Sequence, residues 1–284
     1  MDVSGFLLAI VATIGFSMVV PMVATSTKKV GAVATMFLFQ SIGIPLFVFL
    51  IPIMPPIPSE THIPLIMGIG ALFTFVYILF LHATRIGSVA VVGTVNQLFM
   101  VVTTILGVLL LNESFTLWKL IGLLLTFTGI LLLSTKRQKK GTQTVQLLKG
   151  VPHALVSAIG TGVYLFSIAM ASRTDGWFLT ALFIRIAIAL TSGIILIVRQ
   201  YNFSSLPGNA PWKLLALAGM CDVVAFSIYN YAIAQYEVST ITIITASQSA
   251  FIALFSWKFL GEHLTVQQIL GLFVVLGGLI SLRL

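Results

Sequence analysis

Apolar residues fill this chain in runs of about twenty, a helical crossing of ~30 Å of hydrocarbon, and polar positions fall between the runs rather than alternating within them. That pattern fits neither half-buried strands nor one-faced helices. Charged or Pro/Gly-containing breaks mark off ten runs: 3–24, 31–52, 63–82, 88–110, 117–134, 150–172, 177–198, 211–232, 238–259 and 265–282, numbered here as spans 1 to 10. Pro45 and Pro52 are tolerable in span 2 where neighbouring helices satisfy the freed carbonyls. The breaks are short except for STKRQKKGTQTVQLLK. The chain therefore reads as a first five-helix unit over 1–135, a basic connecting loop over 136–149, and a second five-helix unit over 150–284.

The two units repeat each other. LNESFTLWKLIGLLLTFTGIL ends the first and LGEHLTVQQILGLFVVLGGLI the second. Glu113 and Glu262 (262−113), Gly122 and Gly271 (271−122), and Gly129 and Gly278 (278−129) all keep one offset, 149. Spans 1 and 6 align at an offset of 145, which places Gly5, Ala9, Thr13 and Ser17 over Gly150, Ala154, Ala158 and Gly162. A small residue at every fourth position makes a ridge for close helix packing in lipid. Five is odd, so the second unit enters the membrane upside down. The expected fold is an all-α membrane protein of ten transmembrane helices in two inverted five-helix repeats. Such repeats place a site at the bilayer midplane and open it to alternate sides.

Composition agrees with this reading: 58% of residues are hydrophobic and 8% charged, against about 25% charged in a soluble domain. Span 1 lacks a basic leader and is too long for a signal peptide, so it is expected to remain as a helix. Cys221 is the single cysteine, which excludes intrachain disulfides and cysteine metal clusters. The net charge of +8 comes from loop residues and describes topology better than nucleic-acid binding. Lys28, Lys29, Arg85, Lys136, Arg137, Lys139, Lys140, Lys149, Arg199, Lys213 and Lys258 lie on the side of the odd-numbered loops. Lys119, Arg173 and Arg283 lie on the other side. The positive-inside rule puts the odd loops in the cytoplasm and both termini outside.

Intramembrane charge is costly and marks a cavity or a partner. Arg185 in span 7 and Asp222 in span 8 lie at depths of ~12 and ~15 Å from the even-loop side at ~1.5 Å per residue, close enough to pair. Their counterparts in the first unit are Gln40 (185−145) and Phe73 (222−149), so the halves differ here. Asn96 and Gln97 in span 4 fall mid-span with Ser247 and Gln248 in span 9, where an unpaired amide is expensive. Tyr77, Tyr164, Trp177, Tyr229 and Asn230 add hydroxyl, amide and aromatic surface. The candidate substrate site is Asn96, Gln97, Tyr77, Tyr164, Arg185, Asp222, Tyr229 and Gln248, with Asp222 also the candidate coupling residue. Each polar residue alone could equally be satisfied by an interhelical hydrogen bond, and Arg185–Asp222 by structural pairing. Glu113 and Glu262 sit in turns and are expected to complement a helix N-terminus. His62, His82, His153 and His263 show no metal-ligand spacing. No nucleotide-hydrolysis motif is present.

The paired unit ends resemble the LGE-x-hydrophobic-T…G…G signature of the drug/metabolite transporter superfamily, in its EamA-like ten-helix branch. The resemblance spans the whole chain in helix count and repeat pattern. It implies a secondary transporter, not an enzyme, without a cofactor, multi-pass in the cell (inner) membrane. Family members also carry arginine in span 7 and an acid in span 8. This chain departs from the pattern in two places. Family members often have a proline in the middle of spans 4 and 9, where Met100 and Ser249 stand, so the resemblance does not carry helix unwinding there. Asn112 replaces the glycine before the first glutamate, whereas Gly261 keeps it before the second.

The expected activity is alternating-access movement of a small polar or amphipathic metabolite (amino acid, amine or organic cation), with the proton as candidate coupling ion. The expected partners are the small-molecule substrate, protons and membrane lipid, not nucleic acid, with the chain a monomer or homodimer. The alternatives are a lipid-carrier flippase, which needs a lateral opening and a basic pocket, and a membrane-embedded lipid-modifying enzyme, which needs clustered acids, histidines or a metal. A packed scaffold without a cavity is a third.

Overall fold

The computed structural model describes residues 3–53, 61–86, 89–134, 150–202, 211–252, 254 and 265–282. These residues are nearly all helical, with no strand among them. Helices run over Val3–Val30, Ala32–Leu50, Ile63–Ile86, Leu117–Ser134, Val151–Ala171, Trp177–Val198, Trp212–Gln235 and Val266–Ser281. Span 4 consists of Val89–Asn96 followed by Phe99–Leu110, and span 9 begins with Val238–Ala246. Span 1 passes through Pro21 and ends only at Val30, so Lys28 and Lys29 lie in its last turn rather than in a loop.

The interruptions of spans 4 and 9 are a departure from the continuous helices the sequence suggests. Leu98 N–H bonds to Val95, Met100 to Gln97 and Val101 to Leu98, each at an i−3 spacing, while Ser247 bonds to Ile244 and Ala250 to Ser247. The ladder tightens into a 3₁₀ turn at both places. Leu98 and Ser247 are equivalent by the 149 offset (247−98). Both helices are thus interrupted without a proline, two residues ahead of Met100 and Ser249.

Matching turns join the first two helices of each unit. Gly31 has φ 86 and Gly176 has φ 90, in the left-handed region open to glycine, and they keep the 145 offset (176−31). A π-helical turn over Ser172–Gly176 leads into the second of them. Asn112 also has a positive φ, 51. Asparagine is the non-glycine residue best suited to that conformation, which explains its substitution for the signature glycine.

The repeated glycines of spans 5 and 10 meet one another. A Cβ on Gly129 would lie 2.8 Å from the Gly271 carbonyl oxygen, and one on Gly278 would lie 3.0 Å from that of Gly122. Since Gly271 is the counterpart of Gly122 and Gly278 of Gly129, each contact is the other with the halves exchanged. That is the pattern of a two-fold contact, here between two halves of one chain. The small-residue ridges behave in the same way. Ala9, Thr13 and Ser17 are fully buried in span 1, as are Ala154 and Ala158 in span 6. Ser17 Oγ donates to the Gln248 carbonyl in span 9 at 3.2 Å, and Thr103 Oγ1 of span 4 donates to the Gly162 carbonyl in span 6 at 3.1 Å. Each unit thus supplies the ridge against which the other unit's broken helix packs.

Candidate functional site

A cavity of about 1970 Å³ lies between the two units. Its rim carries Lys28, His82, Arg199, Tyr201, Thr265 and Gln268, all at odd-loop ends of helices. Its depth carries Asn96, Gln97, Arg185, Asp222, Tyr229 and Gln248, and among the described residues none from an even-numbered loop lines it. Among the described residues the cavity therefore reaches the odd-loop ends of the helices and not the even-loop ends.

All eight sequence-derived candidates line this one cavity, Tyr77 and Tyr164 included. Arg185 bonds Asp222 through Nη2 and Oδ2. Arg185 is 1% exposed and the Asp222 side chain 14%. Its Nε and Nη1 find no protein partner, although the guanidinium lies 5.5 Å over the Phe47 ring. A Cβ on Gly43 would overlap Arg185 Nη1, so the absence of a side chain at Gly43 makes room for the guanidinium. Gln97 Nε2 donates to Ser249 Oγ at 3.4 Å, while Gln97 Oε1 and Asn96 Oδ1 are buried without a partner. Tyr164 stacks on Phe73 at 3.8 Å between ring centroids and 15°. Tyr229 OH meets Thr242 Oγ1 at 3.2 Å.

The other polar residues singled out in the sequence separate from this group. Asn230 is fully buried, where it accepts from Ser172 Oγ at 3.0 Å and donates to the Phe226 carbonyl. Ser247 spends its hydroxyl on Ile244, and Trp177 packs edge-on against Phe178 and Tyr231. Conversely, Gly93, Thr245, Ser249, Ile252 and Gln40 line the cavity without having been candidates. Gly93, Asn96 and Gln97, like Thr245, Gln248, Ser249 and Ile252, sit at the i, i+3, i+4 spacing of one helix face, a signal that the sequence did contain.

Polar contacts tie the even-loop side shut. Glu113 accepts from Val238 N at 2.6 Å, from Ser239 N at 3.0 Å and from Ser239 Oγ. It thereby caps the N-terminus of span 9, in the opposite unit, not that of span 5 which follows it in sequence. Arg173 Nη2 reaches the same carboxylate at 3.2 Å and the Tyr236 carbonyl at 2.7 Å. Lys119 Nζ, almost fully buried, donates to Glu237 at 2.9 Å and to Ser239 Oγ at 2.8 Å. Burial alone would raise the Glu237 carboxyl, but the hydrogen bonds from Lys119 and Ser114, with the Lys119 charge, more than offset it and hold it at about 2. Asp175 accepts from His62 N at 2.6 Å and from its Nδ1 at 3.0 Å. Those bonds and one from Thr174 outweigh its desolvation and lower it from the usual carboxylate value. Glu262 and His263 lie outside the described residues.

His82 and His153, 71 positions apart (153−82), come together with ring centroids at 5.3 Å.

No curated protein matches the sequence. A crystal structure of a protein aligns over 99% of this chain and 96% of its own with a TM-score of 0.83, at 17% identity, which concerns the fold alone. The EamA-like transporter family matches twice, over residues 3–135 and 148–284, one match to each five-helix unit. With nearly the whole chain covered, this protein is an integral, multi-pass membrane protein belonging to the EamA-like transporter family.

Proposed function

We propose that this transporter moves a small polar or amphipathic metabolite of the amino acid, amine or organic cation class by alternating access. The observation that carries the reading is the mid-membrane Arg185–Asp222 pair in a cavity open on one side and tied shut on the other by Glu113, Arg173, Lys119 and Glu237. The pair leaves Nε and Nη1 of Arg185 buried without protein partners, so parting it from Asp222 would free the guanidinium for a ligand carboxylate. Asp222 and the unpartnered amide oxygens of Asn96 and Gln97 suit ligand N–H groups, and the Phe73–Tyr164 stack suits an apolar or cationic face. The cell membrane is the expected site of action, with substrate, protons and lipid as partners.

Asp222 is the coupling residue in this proposal. Beside a guanidinium an aspartate favours its ionised form, and in apolar surroundings without one it favours the protonated form. A conformational change that parts Arg185 from Asp222 would make proton binding depend on which gate is open. The test is a thermal-shift screen of the purified protein against amino acids, amines and organic cations, followed by proteoliposome uptake of any binder with and without a pH gradient. A binder that is taken up and accumulated with the gradient is expected. Uptake insensitive to the gradient removes the proton, and binding without uptake removes transport of that compound.

A further inference from the structure

We propose that Tyr229 and Thr242 are positioning residues for transport, whose hydroxyl contact holds the cavity floor shut on the even-loop side. The equivalent pair in the first unit, Phe80 and Gly93, is the same gate in its parted arrangement on the odd-loop side. The inference rests on the alternating-access reading above and assigns its inner gates.

Tyr229 stands six positions before the even-loop end of the Trp212–Gln235 helix (235−229). Its ring lines the cavity and packs edge-on against Phe16 of span 1, with centroids at 6.0 Å. Thr242 lies behind that ring, fully buried and off the cavity lining, and the two hydroxyls meet at 3.2 Å. Thr242 belongs to the Val238–Ala246 helix, in which every residue is buried. Glu113 of the other unit holds the N-terminus of that helix. Its far end reaches the 3₁₀ turn at Ser247, beside which Thr245, Gln248 and Ser249 line the cavity. One short segment thus runs from the even-side closure to the candidate site, and Tyr229 fastens its middle to span 8.

The repeat shows the other arrangement. At the offset of 149, Tyr229 corresponds to Phe80 (229−80) and Thr242 to Gly93 (242−93). Phe80 also stands six positions before the end of its helix, Ile63–Ile86 (86−80). Here both members line the cavity, and a Cβ on Gly93 would meet no described atom within 4 Å. A pair closed in one unit is therefore parted in the other, as alternating access by inverted repeats requires. Exchanging the two arrangements brings Phe80 over Gly93 and draws Tyr229 off Thr242. Only the even-side pair carries hydroxyls. Parting it leaves two buried polar groups to find new partners, a cost that favours the arrangement described here.

The test is hydrogen–deuterium exchange on the full chain in detergent, read in peptides covering Val89–Asn96 and Val238–Ala246. Tyr229→Phe and Thr242→Val should each speed exchange in Val238–Ala246 by about threefold or more, as local opening becomes easier. Thr242→Ser keeps the hydroxyl and should stay near native. Building the contact on the other side, with Phe80→Tyr and Gly93→Thr together, separates a gate from local packing. That variant should slow exchange in Val89–Asn96 and speed it in Val238–Ala246, because the two arrangements compete for one population. Gly93→Thr alone adds helix propensity without the contact and should leave Val238–Ala246 unchanged. Where the melting temperature shows that the double variant fails to fold, Gly93→Ser replaces Gly93→Thr. The assignment is overturned if Thr242→Ser exchanges as fast as Thr242→Val, or if neither Tyr229→Phe nor Thr242→Val changes Val238–Ala246. It is also overturned if the transplanted pair leaves Val238–Ala246 as in the native chain. Uptake by native proteoliposomes, measured separately, tests the transport reading itself, so either can fail while the other stands.

Discussion

Asp222 and Arg185 are the residues whose chemistry can be tested most directly. Asp222→Asn keeps the shape of the side chain and removes its charge. It is expected to abolish accumulation against a gradient while leaving substrate exchange, and the two are separable in proteoliposomes. Unchanged accumulation in a folded variant would remove Asp222 from coupling. If the pair serves structure instead, the variant should lose about 3–5 kcal/mol, the usual consequence of leaving one buried charge unpaired, and a lowered melting temperature would report it. Gly43→Ala probes the pair from behind. Its methyl would overlap Arg185 Nη1, so the guanidinium must shift toward the cavity, and apparent substrate affinity is expected to fall while expression stays near normal. These residues were legible in the sequence because charge deep in an apolar run has few explanations. Gly43 was not, since nothing in the sequence says which glycine faces an arginine.

At the scale of helices, the repeat made most of the packing readable in advance. Ala158 and Thr13 are fully buried on their ridges. Leucine at either position should therefore overpack a helix contact and cost about 1–3 kcal/mol, measurable as a lower unfolding midpoint in detergent. The breaks in spans 4 and 9 were harder to read because the proline expected to cause them is absent, and no local residue announces a 3₁₀ turn at Leu98 or Ser247. Glu113 illustrates the same limit. Its place before a helix suggested capping, but which helix it caps depends on a tertiary contact 125 positions away. Glu113→Gln should weaken that cap and its bond to Arg173, favouring opening of the even-loop side. A cysteine placed at Thr242, fully buried beneath the closure, in a Cys221→Ser background should then react faster with a thiol reagent applied from that side. Equal labelling rates would show that Glu113 does not restrain the opening.

For the molecule as a whole, the even-side closure is also a pH-dependent element. Glu237 is depressed to about 2 and Asp175 lies below its ordinary value, so both carboxylates stabilise the closed arrangement fully above their unperturbed pKa of roughly 4. The Glu237 contribution is lost as pH falls from about 4.5 toward 2, and that of Asp175 as pH falls through its lowered pKa. The melting temperature should fall over this window, and by less in Glu237→Gln, while the same substitution should raise labelling of the introduced Thr242 cysteine at neutral pH, where thiolate is present. The closure has a further consequence for kinetics, because the repeat copies only part of it. Arg173 corresponds to Lys28 (173−145), but Lys119 corresponds to Gln268 (268−119 = 149) and Glu237 to Ser88 (237−88 = 149). The opposite side thus lacks the counterpart of the Lys119–Glu237 ion pair. On the proposed alternating-access cycle, an empty carrier is expected to dwell facing the odd loops, with its return across the membrane limiting the cycle. Substrate on the odd-loop side should therefore accelerate entry from the even-loop side, while the reverse stimulation stays weak: a rectifier built from one unduplicated ion pair.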